Sequence, residues 1–396
     1  MLNIRIGNSL FTYLAMAFIT MAGLSYINFL PGLVNALAGA IGFSDVEAGQ
    51  IIALNGYGGL LGTTAAIFLV SRIRWQPAVF IGLAALALMD IASARIGVYE
   101  AMLVWRFVAG FFGGFSLGIA FAVLARLSNP DRAFGCLLFI QFSVGALVIY
   151  LLPALEIATN AYAVFYVMAC LALLSLLFVL LLARVPLNNS SSEQGLLLSG
   201  KYRHAFLLLL AILLYQVAAS AIWAYVGLIG LAAGLAAEPV SVYIAATGLL
   251  GLLGAMAPVI IGKRHGRLPW LLLGVAISAI AALLLIFAAH PVLYVLAMAM
   301  LFIAWPAVQS YLLAVTAELD ASGKLATTAA VVSFAGLATG PLLASGLLES
   351  GRYLFMLIIC ALIFLLSGFV LFKPVRTQEV RCARFQWSGD PAFRLR

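Results

Sequence analysis

The sequence predicts an all-α membrane protein with twelve transmembrane helices in two pseudo-symmetric six-helix bundles. Three features predict this fold class: a composition poor in charge, a regular succession of apolar runs, and an internal repeat. Hydrophobic residues make up 65% of the 396 residues, charged residues make up 9%, and the mean hydropathy is +1.18. Soluble domains carry roughly 25% charged residues. A chain with so little charge must therefore face the apolar core of a lipid bilayer.

Apolar runs long enough to cross the hydrocarbon core, which takes about 20 residues, recur along the chain. The first run is too long for the apolar part of a signal peptide, so it is predicted to be the first membrane helix. Ser44 and Glu47 predict a capping box where the second helix begins. The predicted helices lie at 10–38, 48–70, 77–96, 100–125, 133–154, 161–183, 204–232, 240–262, 269–288, 291–315, 325–347 and 352–373.

Four segments are predicted along the chain. An N-terminal six-helix bundle spans 1–184, and a C-terminal six-helix bundle spans 204–373. The polar stretch between them, 185–203, is predicted to be a flexible cytoplasmic linker. The basic segment 374–396 follows the last helix without apolar periodicity. We expect it to form a cytoplasmic tail without regular structure.

The basic residues predict the orientation of the chain, because cytoplasmic loops of membrane proteins carry an excess of lysine and arginine. With both termini in the cytoplasm, every lysine and arginine except Arg95, Arg106 and Arg352 falls on the cytoplasmic side. The net charge of +8 is spread in small groups between apolar runs, so it does not indicate a nucleic-acid partner. The compact loops predict a multi-pass protein of a bacterial inner (plasma) membrane.

An internal repeat appears when the chain is shifted by about 192 residues. Glycines, an arginine and a proline then coincide in one ungapped register. The coinciding pairs are Gly42 and Gly234, Gly56 and Gly248, Gly59 and Gly251, Gly62 and Gly254, Arg72 and Arg264, and Pro77 and Pro269. Parallel repeats of six helices are the arrangement of two-bundle transporters.

Motifs in the two halves resemble the Major Facilitator Superfamily, over essentially the whole chain before the tail. The loop Gly262-Lys263-Arg264-His265-Gly266-Arg267 resembles the family's Asp-Arg-x-Gly-Arg signature, with Lys263 where the family has aspartate. Its counterpart, Ser71-Arg72-Ile73-Arg74, is more degenerate. Arg106 followed by Gly110, Gly113 and Gly114 resembles the family's fourth-helix motif. The resemblance implies gating loops that contain Arg72, Arg74, Lys263, Arg264, Gly266 and Arg267.

Two opposite charges lie within predicted helices of the first half. Asp90 on helix 3 and Arg106 on helix 4 are each roughly 10 Å from the same end of a helical hairpin, at 1.5 Å per residue, so they can pair. One interpretation is a structural salt bridge that allows both residues to be buried. In the other, Arg106 lies at a cavity wall and attracts an anionic group or influences proton movement, with Asp90 as its partner. If transport is coupled to protons, the group that carries the proton is Asp90 or a group that the sequence does not identify. The remaining alternative is a uniporter, in which transport is not coupled.

The resemblance also implies that helices 1, 4, 7 and 10 line a central cavity. Amides in these helices are expected to point inward, since a lipid-facing surface has little use for them. Their alternative role is hydrogen bonding between helices, which contributes only about 0.6 kcal/mol on average in membranes. The predicted solute-binding residues are Tyr26, Asn28, Asn55, Arg106, Gln216, Trp223, Trp305 and Gln309.

These features predict a secondary active transporter that moves a small organic solute by alternating access, driven by a gradient through proton-coupled symport or efflux. The alternatives are an uncoupled facilitator and a membrane receptor or assembly protein on the same scaffold. His204, His265 and His290 lie at separate helix ends, so an enzyme is not expected. No ATP-binding Gly-x-x-x-x-Gly-Lys-Ser/Thr sequence is present. We expect a monomer without cofactor or metal, whose partners are the solute, the bilayer and, where transport is coupled, protons.

Overall fold

The computed structural model describes residues 10–70, 72–127, 130–182, 202–261, 266–319, 324–348 and 353–387. Within these ranges the chain forms helices and short turns, with no strand. The helices are α1 (Leu10–Gly23, Ser25–Asn28 and Leu30–Ala38), α2 (Asp45–Leu69), α3 (Trp75–Ser93), α4 (Tyr99–Leu124), α5 (Pro130–Ala158), α6 (Ala163–Leu181), α7 (Tyr202–Ala232), α8 (Ala237–Gly248 and Leu250–Ile261), α9 (Leu268–Leu284, followed by a 3-10 turn Leu285–Phe287), α10 (Pro291–Leu319), α11 (Lys324–Leu347) and α12 (Leu354–Trp387).

The helices α2 to α12 are each long and apolar enough to cross a membrane, and the first segment of α1 is a shorter apolar helix, as judged on the described residues. The predicted all-α membrane fold is confirmed. The predicted linker, 185–203, lies outside the described residues except for its last two positions, which already belong to α7.

The bundle has two ends, the Asp45 end and the Arg132 end. The Asp45 end is the end where α1 finishes and α2 begins, and the Arg132 end is the opposite one, where α5 begins. At the Asp45 end the predicted capping box is confirmed. The backbone N–H of Ser44 donates to Glu47 Oε2 at 2.8 Å, and the backbone N–H of Glu47 donates to Ser44 Oγ at 3.2 Å.

Close backbone contact between α2 and α4 holds the first half together. A Cβ added at Gly110 or Gly114 of α4 would overlap backbone atoms of Asn55 and Gly59, respectively. Small residues at a helix interface allow this approach, and the dispersion contacts that result drive helix association in lipid. The four-residue glycine spacing on α4 therefore serves packing.

The prediction of one continuous first helix is wrong, because α1 is interrupted at Leu24 and Phe29. Pro31 explains the second interruption. Proline has no backbone N–H, so the carbonyl of Ile27, four residues earlier, loses its helical donor. Helix α8 is interrupted in a similar way at Leu249, directly after Gly248. Glycine weakens a helix interior by about 1 kcal/mol relative to alanine.

The prediction of an irregular tail after residue 373 is wrong as far as Trp387, because α12 continues to that residue. A contact distant in sequence holds the extension in place. Glu379 Oε1 accepts hydrogen bonds from the backbone N–H groups of Arg267 at 2.5 Å and Leu268 at 2.9 Å. A carboxylate at a helix N-terminus satisfies donors that have no partner within the helix. Glu379 therefore caps α9.

Candidate functional site

A cavity of about 410 Å³ lies between the two halves, within the range of small-molecule sites. Residues of α1, α4 and α5 form one wall, and residues of α7, α8, α10 and α11 form the other. The aromatic residues of the wall are Phe121, Phe134, Phe142, Trp223, Phe302 and Trp305. The amides of the wall are Asn28, Gln141, Gln216 and Gln309. Among the described lining residues, none carries a formal charge.

A hydrogen-bond network on the C-terminal half orients part of this wall. Trp305 Nε1 donates to Gln216 Oε1 at 2.6 Å, and Gln216 Nε2 donates to Ser333 Oγ at 2.6 Å. Gln309 Nε2 donates to the same Ser333 hydroxyl at 2.9 Å. The oxygen and the nitrogen of the Gln216 amide are thus both hydrogen-bonded, and the side chain connects α7, α10 and α11. Gln309 Oε1 is buried without a partner in the described part of the chain.

Two other amides of the wall are free. Asn28 lies in the interrupted region of α1 and is 7% exposed. Its Nδ2 is buried, and no hydrogen bond between described residues involves its side chain. Gln141 of α5 is half-buried and likewise has no side-chain partner in those ranges. Gln141 was not predicted, because all the predicted solute-binding residues lie on helices 1, 2, 4, 7 and 10.

The Trp223 side chain joins the two halves next to the cavity. Its Nε1 donates to the backbone carbonyl oxygen of Ile27 at 2.9 Å. Its ring meets the ring of Phe302 edge to face, with the centroids 5.0 Å apart. This geometry is favourable for aromatic pairs. The indole is therefore held by α1 on one side and by α10 on the other.

Asp90 and Arg106 pair inside the first half. Arg106 Nη1 lies 2.6 Å from Asp90 Oδ1 and 3.3 Å from Ser93 Oγ, and the guanidinium lies 5.3 Å from the centre of the Phe165 ring. The side chains of the pair are 1% and 0% exposed, and neither lines the cavity. The ion pair is in place, while its part in solute binding or coupling stays a prediction.

Five of the eight predicted solute-binding residues line the cavity and three do not. Asn28, Gln216, Trp223, Trp305 and Gln309 are on the wall. The other three are buried elsewhere in the first half: Tyr26, Asn55 and Arg106. Tyr26 and Asn55 lie in close helix packing, since a Cβ on Gly56 would lie 3.1 Å from the Tyr26 hydroxyl and a Cβ on Gly110 would overlap the Asn55 backbone. Arg106 is paired with Asp90. Their role in binding stays a prediction.

The described residues of the predicted gating loops, Arg72, Arg74, Gly266 and Arg267, lie at the Arg132 end. Arg72 and Arg74 are exposed between α2 and α3. Gly266 has a positive φ of 75°, a conformation that glycine adopts without strain. Arg267 follows it and begins the turn that Glu379 caps. Lys263 and Arg264 lie outside the described residues.

Contacts between the halves close the Asp45 end. The Tyr225 hydroxyl donates to the Asp45 backbone carbonyl at 2.7 Å, and the Tyr353 hydroxyl donates to Asp45 Oδ2 at 2.6 Å. Deeper in the bundle, the hydroxyls of Tyr57 and Thr339 lie 3.1 Å apart, between α2 and α11. The cavity lies beyond this closure, and Phe121 and Phe134 extend its wall toward the Arg132 end.

Within the described residues, eleven helices long and apolar enough to cross a membrane and the segmented helix α1 surround a cavity that is closed at the Asp45 end. This arrangement is typical of helical membrane transporters. The sequence profile of the Major Facilitator Superfamily matches residues 13–319. The chain belongs to the Major Facilitator Superfamily.

Solved structures share this fold. The nucleoside transporter NupG superposes with a TM-score of 0.74 at 14% identity, covering 93% of this chain and 99% of that one. A point mutant of NupG gives a TM-score of 0.76 at 13% identity, with 91% and 99% covered. A bacterial homologue of the human lysosomal transporter Spinster, inward-facing and unoccupied, gives 0.68 at 14% identity, with 94% and 98% covered. A comparison with curated protein sequences finds no match.

Proposed function

We propose that this protein is a secondary transporter that moves a small, uncharged organic solute across the bacterial inner membrane by alternating access. The observation that carries the proposal is the cavity between the halves, which has aromatic and amide walls and is closed at the Asp45 end. Transport by this mechanism requires a central site that opens to one side at a time. The closed end and the central cavity together fit one such state.

The orientation follows from the distribution of basic residues. We place both termini in the cytoplasm, so that the Arg132 end faces the cytoplasm and the Asp45 end faces outward. The structure then corresponds to an inward-facing state. The Spinster homologue was solved in an inward-facing state, which is a property of that protein and agrees with this orientation.

The energy source is the second part of the proposal. A pH gradient would drive transport if Asp90 exchanges a proton during the cycle, since it is the most buried acidic residue of the described chain. An uncoupled facilitator is the second candidate. It is favoured by the lack of any charged side chain among the described residues of the cavity wall.

Transport in proteoliposomes tests both parts. Purified protein is reconstituted and the uptake of labelled uncharged aromatic solutes is followed with and without an imposed pH gradient. Saturable uptake that Trp305→Ala reduces and that Arg95→Ala leaves unchanged supports the proposal, because Arg95 is exposed and does not line the cavity. Accumulation above equilibrium only with the gradient favours coupling, and simple equilibration favours a facilitator. Uptake identical to protein-free liposomes for every solute would refute transport.

A further inference from the structure

The free amide of Asn28 is the most unusual polar group on the cavity wall. An asparagine amide offers a donor and an acceptor side by side. Buried amides in folded proteins normally find partners, and one without a partner calls for an explanation. Asn28 Nδ2 is buried and has none among the described residues. Gln216 shows the contrast, because both ends of its amide are engaged.

The groups around Asn28 favour an uncharged ligand. Gln309 Oε1 is a second polar atom of this wall without a partner in the described chain, and the side chain of Gln141 has no partner among those residues either. A charged group buried here would find no opposite charge on the described wall, which is strongly unfavourable in a low-dielectric site. These amides can form hydrogen bonds with the neutral donors and acceptors of a ligand.

The aromatic part of the wall is fixed before any ligand binds. The indole N–H of Trp223 is engaged by Ile27, and that of Trp305 is engaged by Gln216. Both rings are thereby held in place and offer their apolar surfaces. Rigid aromatic surfaces bind planar ligands without losing side-chain freedom on binding.

We infer that the solute is an uncharged aromatic compound in which a hydrogen-bond donor lies next to an acceptor, as in a lactam or a primary carboxamide. Its donor–acceptor edge pairs with the amide of Asn28, and its ring lies against Trp223 and Trp305. This inference rests on the proposed function, because it names the solute class for the same cavity. A site that hydrogen-bonds its ligand discriminates strongly against analogues that lack the bonding group.

Binding of four matched quinolines to the purified full-length protein tests the inference. Equilibrium dialysis measures tritiated quinolin-2-one, a lactam, and its displacement by N-methylquinolin-2-one, 2-methoxyquinoline and quinoline-2-carboxylate. The first two competitors lack the N–H donor, and the third is charged. We expect the lactam to bind about tenfold more tightly than each competitor, because each leaves part of the Asn28 amide unpaired.

The Asn28→Leu variant should bind the lactam and N-methylquinolin-2-one equally, since leucine keeps the volume and removes both polar atoms. Asn160→Ala is the matched control, because Asn160 is exposed and, among the described residues, its side chain accepts a hydrogen bond only from the backbone N–H of Tyr162. The control should keep the wild-type preference. If Asn28→Leu does not fold, the relative affinities of the four ligands for the wild-type protein still test whether the site prefers the lactam.

Several outcomes would overturn the inference: equal binding of lactam and N-methyl compound, tightest binding of the carboxylate, binding of none of the four, or an unchanged preference in Asn28→Leu. Failure of the proposed function is recognised separately. A lactam preference without any solute uptake in proteoliposomes would support the inference and refute transport. Uptake of other solutes without a lactam preference would support transport and refute the inference.

Discussion

The indole N–H of Trp223 donates to the carbonyl oxygen of Ile27 at 2.9 Å, a carbonyl whose helical donor is missing because residue 31 is proline. The break in α1 and the contact between the two halves therefore have one cause. A donor from the second half replaces the backbone donor that the first half lacks. This bond lies at the wall of the proposed solute cavity.

Removing the indole donor should destabilise the protein more when residue 31 is proline than when it is alanine. Trp223→Phe removes the indole donor from the Ile27 carbonyl and leaves it only the backbone N–H of Phe29, which is shared with the Ser25 carbonyl, at a cost of about 1 kcal/mol. Pro31→Ala restores a backbone N–H that can take its place, so the double variant should lose less stability than the sum of the two single variants. Thermal unfolding in detergent measures the difference.

The control for this cycle is Trp105→Phe, which removes an indole bond of the same length, 2.9 Å, to the Met89 carbonyl in the first half. Its effect should add to that of Pro31→Ala without coupling. The interaction free energy with Pro31→Ala could instead be equal for Trp223→Phe and Trp105→Phe. That result would show that Pro31→Ala acts through general helix stability and not through the Ile27 carbonyl.

Exchanging the charges of Asp90 and Arg106 tests their pairing. Either single reversal places two like charges in a site that is almost fully buried, and breaking a buried pair costs about 3–5 kcal/mol. We expect each single variant to lose folded protein and the double exchange, Asp90→Arg with Arg106→Asp, to recover part of it. Size-exclusion profiles of the solubilised protein measure the folded fraction.

Arg95→Ala is the reference for the charge exchange, because Arg95 is exposed. It should not change the folded fraction. If the double exchange folds no better than the single reversals, the pair does not account for the burial of these charges.

Glu379 should control the stability of the turn before α9. Glu379→Ala removes the acceptor for the backbone N–H groups of Arg267 and Leu268, and loss of a helix cap costs about 0.5–2 kcal/mol. Hydrogen exchange at these two amides should accelerate by roughly fivefold, a factor that corresponds to about 1 kcal/mol. The exposed Glu238, whose helix shows no side-chain cap, provides the control variant Glu238→Ala. Unchanged exchange in Glu379→Ala would contradict the capping role.

The sequence was sufficient for the number and order of the membrane helices, because hydropathy reports directly on the length of chain that the bilayer requires. It was not sufficient for the interruption of α1. Pro31 can be read from the sequence, but the hydrogen-bond donor that stabilises the break belongs to Trp223 in the other half of the chain. The extension of α12 was missed for the same reason, since its contact partner is the turn before α9.

Only part of the cavity wall could be predicted. The rule that amides in membrane helices point inward does not distinguish a cavity from a packed interface between helices. Asn28 and Gln309 reached the cavity, while Asn55 lies against the close contact of α2 and α4. Gln141 satisfies the same rule, but α5 was not expected to reach the cavity. A charged residue in a membrane helix is an equally ambiguous sign of a cavity. The Arg106 side chain is paired with Asp90 and does not line the cavity.

Reciprocal accessibility of the two ends tests alternating access most directly. In a variant without native cysteines, Ser345→Cys reports on the Asp45 end and Ser310→Cys reports on the cavity wall. We expect Gly56→Leu to push α2 and α11 apart and open the Asp45 end, since even a Cβ at this position would lie 2.7 Å from the Ala338 Cβ. Gly346→Leu is the control, because a Cβ there meets nothing within 4 Å.

Labelling by a membrane-impermeant maleimide is measured from each side of the membrane. We predict that Gly56→Leu speeds the labelling of Ser345→Cys from the Asp45 side and slows that of Ser310→Cys from the Arg132 side, while Gly346→Leu changes neither. Faster labelling at both positions, or no change at either, would contradict a mechanism in which the two ends open in turn.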